Sequence, residues 1–159
     1  MHVADGIERF EDQGVVNWYL VQTSEGPVAI DAAFPTAWEQ VEPYVHDLRA
    51  IILTHGHIDH CGFAPKAQKQ AGVPVYVPHG DEPIVRSPLP MAESEGSPLK
   101  YVVKESATRS LYLKALKAGD TLPGGFRAIG TPGHTDGHRT SSRTSRRSTA
   151  SPRPVRRTC

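Results

Sequence analysis

Thr54-His55-Gly56-His57-Ile58-Asp59-His60 places three imidazoles and a carboxylate within one short segment. It follows directly on Ala50-Ile51-Ile52-Leu53, a continuous apolar run that suits a strand buried on both faces of a helix-covered sheet. In extended backbone alternate side chains point the same way, so His55, His57 and Asp59 share one side. Gly56 allows a tight bend between the first two. His60 falls on the opposite side unless the chain turns after Asp59. Four polar groups at the mouth of a buried strand are costly without partners. As a ligand set they are borderline soft nitrogen and oxygen donors, for which zinc is the default ion and iron or manganese the alternatives. A solvated His-rich loop is the weaker reading, because clustered His and Asp seldom gather without a metal or catalytic role.

Upstream, Asn17-Trp18-Tyr19-Leu20-Val21 and Val28-Ala29-Ile30 read as two strands joined through the turn Ser24-Glu25-Gly26-Pro27, a hairpin that ends at Asp31. Thr36, with Glu39 three residues on, has the spacing of a capping box and predicts a helix start, with Pro43 opposing its extension. Downstream, Ala64 to Ala71 reads as a helix, with Pro65 in its first turn and Gly72 beyond its end. Val73-Pro74-Val75-Tyr76-Val77 is the next strand, completing a strand–helix–strand unit. Five prolines break residues 78–100, which read as mostly loop. The pattern predicts a helix from Ser106 to Lys117. Short strands follow at 119–122 and 126–129 around Pro123-Gly124-Gly125, and then a loop at Thr131-Pro132-Gly133-His134.

The chain has 159 residues, one domain's worth, with 38% hydrophobic residues. No stretch approaches the roughly 20 apolar residues of a membrane span, and no signal peptide is apparent, so the cytoplasm is the default compartment. Its net charge of +1 averages two unlike pieces. Seven of the 18 basic residues are arginines of 139–159, a segment with no Asp, Glu, Lys or His. The other 11 face 17 acidic residues over 1–138, a net charge of −6 there. Residues 139–159 are otherwise rich in Ser and Thr, lack periodicity, and are expected to be disordered. Cys61 and Cys159 form no evident disulfide framework.

The segment 54–60 resembles the THxHxDH signature of the metallo-β-lactamase superfamily. Thr131-Pro132-Gly133-His134-Thr135-Asp136-Gly137-His138 resembles that family's TPGHTxGH landmark, and residues 17–21 and 28–31 are similar to its opening hairpin. Four landmarks in order are specific, whereas an HxH pair alone would also suit barrel-fold amidohydrolases. The resemblance implies an α/β (α+β) fold, the N-terminal part of an αββα sandwich spanning 1–138, with metal at one edge of the sheets. It implies that His55, His57 and His134 form a first metal site. Asp59 and His60 would serve a second, with one or two zinc ions in all. Asp31 and His138 would brace the ligand loops without binding metal. It implies metal-assisted hydrolysis, with zinc-bound hydroxide attacking an ester, thioester, lactone or amide carbonyl of a small molecule, and Asp59 as the catalytic carboxylate. The family usually has Gly where Ala33 stands, so a looser local turn is expected.

The family's two later ligands, an Asp and a final His, have no counterpart after His138. The chain therefore reads as a truncated form of a longer protein, its tail resembling a frame-shifted stretch, with impaired catalysis expected. A noncatalytic metal-binding pseudoenzyme is one rival reading. Phosphate or nucleic-acid binding through the arginines is another, disfavoured because the tail has no aromatic residue for stacking. Neither substrate nor oligomeric state is readable. Cys61 reads as a packed or partly exposed thiol outside the ligand set, Trp18 and Trp38 as core residues ahead of cleft wall, His2, His46 and His79 as surface residues, and Asp136 as no ligand.

Overall fold

The computed structural model describes residues 1–86 and 108–143. Among these, seven strands form one sheet in chain order: β1 (His2–Ala4), β2 (Ile7–Asp12), β3 (Val16–Val21), β4 (Val28–Ile30), β5 (Ala50–Ile52), β6 (Val75–Pro78) and β7 (Leu113–Leu116). The first four are antiparallel, and β4 through β7 run parallel. A second, antiparallel sheet has the order β10 (Arg139–Ser142), β9 (Phe126–Gly130), β8 (Thr121–Leu122). This is the α/β arrangement expected from the sequence.

The apolar run at 50–53 is buried on both sides because its residues alternate between two cores. Ala50 and Ile52 join Val28, Leu122, Phe126 and Ala128, so this core draws on both sheets. Ile51 and Leu53 join Trp18, Ala29 and Phe63 beneath α2 (Ala64–Ala71). Trp18 is fully buried, stacks on Phe10 at a ring distance of 4.3 Å, and donates its indole N–H to Gln40 at 2.9 Å. Burying one such side chain contributes about 2–3 kcal/mol. The α2 helix has the predicted bounds, with Pro65 in its first turn and Gly72 left-handed at φ 66°. Among the described residues no helix is long and apolar enough to cross a membrane.

Four expectations are corrected. Thr36 caps no helix: its hydroxyl donates to the buried carboxylate of Asp12 at 2.9 Å, and it lies in a 3-10 turn before the short α1 (Trp38–Val41). The stretch from Ser106 to Lys117 is not one continuous helix: where it is described, only Thr108–Ser110 make a 3-10 turn. Leu113 to Leu116 instead add in parallel to the edge of β6, with Leu113 opposite Val75 and Leu116 opposite Pro78. Backbone pairing with a distant strand overrides the helix preference of Leu, Lys and Ala. Within 78–100, α3 (Glu82–Arg86) is helical, because Pro83 sits in its first turn where no intrahelical donor is required. Residues 87–107 lie outside the described residues. The expected disorder from Arg139 onward does not hold for Arg139–Ser142, which pair with 127–130 of β9. Residues 144–159 lie outside the described residues.

The hairpin's exit is stitched to the His-rich loop backbone to backbone. Ala32 N–H donates to His60 O, Gly62 N–H to Ala33 O and Phe63 N–H to Ala32 O. Asp31 and Ala33 both adopt positive φ, 63° and 39°, so Ala33 takes the left-handed turn despite its methyl group. Gly62 passes so close to this turn that a β-carbon there would collide with the backbone of Phe34 and Pro35. Gly62→Ala is expected to destabilise the fold by about 3 kcal/mol or more, since backbone must move. Gly14→Ala, left-handed but in open space, should cost only ~1 kcal/mol. Denaturant unfolding of the two variants checks this; equal losses would contradict it.

Candidate metal centre

The loop after β5 is held at its root by Asp31. This nearly buried carboxylate accepts the Thr54 N–H at 2.7 Å and the Thr54 hydroxyl at 2.9 Å. Its Oδ2 also lies 3.0 Å from His60 Nδ1. The parallel register Ile30↔Ile52 places Asp31 beside the end of β5, so the pairing of two strands fixes where the loop starts. The backbone then makes a 3-10 turn over Ile58–His60, with His60 N–H donating to His57 O at 3.0 Å. That turn brings His60 round to the same side as His55: their rings are 4.1 Å apart.

The second loop is closed on itself and tied to the first. Thr131 N–H donates to His138 O, and Arg139 N–H donates to Thr54 O at 2.9 Å. His138 Nδ1 lies 2.8 Å from the Thr131 hydroxyl and 3.0 Å from the Thr131 carbonyl, so this ring is engaged in holding its own loop. His134, between them, projects toward the first loop.

The three rings of His55, His57 and His134 stand at the corners of a nearly equilateral triangle, with centroids 4.6, 4.8 and 4.7 Å apart. One nitrogen from each lies within 4.8 Å of the others. His55, Asp59 and His60 form a second such group, sharing His55. The five residues expected to bind metal are thus brought together, with Asp31 bonded to Thr54 of the first loop and His138 to Thr131 of the second. Asp136 is exposed and belongs to neither group.

Electrostatics favours neutral rings at the centre. Burial first, then the neighbouring His60, His57, His134 and His138, holds the His55 imidazole far down, to about 2. Burial and the adjacent His134 also lower His57. Burial pulls His60 down too, but the Asp31 carboxylate beside its Nδ1 and the nearby Asp59 outweigh this and raise it. A neutral imidazole keeps a lone pair for a cation, and His55 Nε2 is buried with no hydrogen-bond partner, as is Asp59 Oδ1. Orphaned buried acceptors are costly, and a cation between these groups would satisfy them. The donor set of imidazoles and carboxylate fits zinc, or iron or manganese.

Other sequence expectations sort cleanly. Cys61 is fully buried, its thiol donating to His57 O at 3.3 Å, and burial pushes its pKa up, away from ligand chemistry. His2, His46 and His79 are exposed. Trp18 and Trp38 are core residues. Asp81, two residues after His79, belongs to none of the motifs in the sequence. Asp81 is wholly buried against both ligand loops. An acid just past a strand end was the available signal.

Comparison with known proteins agrees with this architecture. The family model described as "Metallo-beta-lactamase superfamily" matches residues 12–145. The Bacillus subtilis protein YflN, named a probable metallo-hydrolase, is 31% identical over 146 residues, covering 78% of this chain and 54% of its own length. The structure is similar to the di-iron-bound form of TTHA1623, with a TM-score of 0.58 and 31% identity over 79% of this chain and 61% of that one. It also shares its fold with BJP-1, a subclass B3 metallo-beta-lactamase of Bradyrhizobium japonicum, with a TM-score of 0.63 and 23% identity over 79% and 49% of the two chains. The chain spans about half the length of the curated relatives it matches most fully. Since the match runs through both ligand loops and the sheet between them, this chain belongs to the metallo-beta-lactamase superfamily.

Proposed function

We propose that the chain carries the metal-binding core of a zinc-dependent hydrolase acting on the carbonyl of a small-molecule ester, thioester, lactone or amide. The observation that supports this most is the convergence of His55, His57 and His134 on one point, with a buried orphan nitrogen among them. In this reading those three imidazoles hold the first ion. Asp59 and His60, with His55, serve a second. Iron is the main alternative metal, and the relative TTHA1623 is described in a di-iron form. A bound zinc ion supplies Lewis-acid chemistry, lowering the pKa of its water from 15.7 toward ~7 and polarising a carbonyl.

The chain's own residues do the rest. Thr54, fixed by Asp31, aims the first loop so that His55 and His57 face His134. Asp59, whose Oδ1 has no protein partner, orients the attacking water and takes up its proton. His60 is oriented by Asp31, which fixes the ring nitrogen it offers.

Purified chain reconstituted with zinc and assayed on ester, thioester and lactone substrates tests this. Turnover is expected to be slow, to track metal content, and to vanish on chelation. In the His55→Ala, His57→Ala double variant, zinc affinity should fall by ~100-fold or more, beyond the 10–100-fold typical of losing a bracing residue. Zinc retained in full by the double variant would contradict the site. Bound zinc with no turnover on any substrate would favour a noncatalytic metal-binding module.

The same histidines set a pH dependence for the metal-free protein. His55 and His57 are lowered in the fold, so below their ordinary value of 6.5 they bind protons in the unfolded chain first, and stability is lost as pH falls through that range. His60, raised, acts oppositely: its contribution is complete below 6.5 and fades as pH rises through its folded value. With two lowered groups against one raised, the melting temperature should drop between pH 7 and 5, and drop less in the double variant. A melting temperature that is flat or rises toward pH 5 would contradict this.

A further inference from the structure

Asp81 closes the 3-10 turn His79–Asp81 that leads from β6 into α3, and is wholly excluded from solvent. Its carboxylate takes three donors from two separate loops. Oδ2 accepts the Gly56 N–H at 3.0 Å and the Thr135 hydroxyl at 2.7 Å, and Oδ1 accepts the Gly137 N–H at 3.0 Å. Gly56 sits between His55 and His57. Thr135 follows His134, and Gly137 precedes His138. One side chain therefore grips both histidine loops, each at a residue adjacent to a converging imidazole.

The same contacts account for two glycines. A β-carbon on Gly56 would come within 2.7 Å of the Asp81 carbonyl oxygen and 3.0 Å of its Cβ. A β-carbon on Gly137 would collide with the Asp81 carboxylate itself. Both loops approach this residue as closely as backbone can, which only glycine permits. Burying a lone carboxylate is expensive, and three hydrogen bonds to the charged form offset that expense here. Asp31 braces only the first loop. Among the described residues, Asp81 is where a side chain spans the two.

We propose that Asp81 is a positioning residue for the metal centre: by clamping the 54–60 loop to the 131–138 loop, it sets the distance at which His134 meets His55 and His57. It touches neither metal nor substrate in this scheme. The proposal rests on the reading of those three imidazoles as a metal site. It predicts that weakening the clamp loosens the contribution of His134 and leaves the His55–His57 pair in place.

Cobalt(II) titration of the full chain tests this, with affinity and the visible ligand-field spectrum as readouts and circular dichroism and thermal melting as the check on folding. The variants are Asp81→Asn, Thr135→Val and His134→Ala, singly and with each of the first two combined with the third. Asp81→Asn keeps the shape but turns donors against donors, and Thr135→Val removes only one link. Outer partners of this kind typically carry 10–100-fold in metal affinity. Asp81→Asn is expected to weaken cobalt binding by ~10-fold or more and to shift the spectrum toward that of His134→Ala. Adding His134→Ala to it should then cost far less than His134→Ala alone costs the unaltered chain. A folded Asp81→Asn protein with unchanged affinity and spectrum, or full additivity with His134→Ala, would overturn the proposal. If Asp81→Asn fails to fold, Thr135→Val decides by the same criteria. If the unaltered chain binds cobalt no better than His134→Ala does, the metal-site reading itself fails, and the clamp falls with it.

Discussion

Three imidazoles cannot occupy one small volume as cations, and the rest of this structure follows from that constraint. His55, His57 and His134 stand with ring centroids under 5 Å apart. At such spacing like charges repel by about 1 kcal/mol per pair even in bulk water, and by several times that near protein. The fold resolves the conflict by burying His55 so thoroughly that it stays neutral. Neutrality brings its own cost, an imidazole nitrogen with no partner in the protein. An arrangement that discourages protons and withholds hydrogen bonds is unfavourable for folding alone, yet it is what a cation requires of its ligands. Such a local departure from the usual satisfaction of buried polar groups marks a functional site.

Convergence at this precision needs support, and carboxylates provide it. Asp31 fixes the root of the first loop through Thr54 and orients His60. Asp81 joins that loop to the second through Gly56, Thr135 and Gly137. Asp12, farther back, holds the Phe34 N–H and Thr36 hydroxyl and so anchors the turn against which Gly62 packs. Each is buried and satisfied by backbone amides and hydroxyls, with His60 also beside Asp31. Carboxylates whose lone pairs are taken up in this way hold a loop without competing for a metal. Loop geometry is thereby inherited from the parallel strands β4, β5 and β6, whose ends carry or adjoin Asp31, Thr54 and Asp81.

The sequence made legible whatever is encoded locally. The run 50–53 betrays a doubly buried strand by its unbroken apolarity, and Pro65 with Gly72 brackets α2. The candidate ligands announce themselves by residue type and spacing. Contacts that depend on distant partners stayed hidden. Thr36 looked like a cap because its competitor, Asp12, lies 24 residues earlier. Residues 113–116 carry helix-forming side chains and became strand because the edge of β6 was open to them. Arg139–Ser142 look compositionally disordered but find an edge on β9. Asp81 escaped notice because its donors at 56, 135 and 137 are 25 to 56 residues away. His60 turns inward only because the 3-10 turn at 58–60 bends the chain after Asp59.

The central claim is that these three side chains meet at a single cation. Zinc-edge X-ray absorption on the chain loaded with one equivalent of zinc reads this directly. The account predicts a coordination sphere dominated by three imidazoles, falling to two when His134 is replaced by Ala. A sphere that lacks imidazole, or one whose imidazole count is indifferent to the loss of His134, would contradict it.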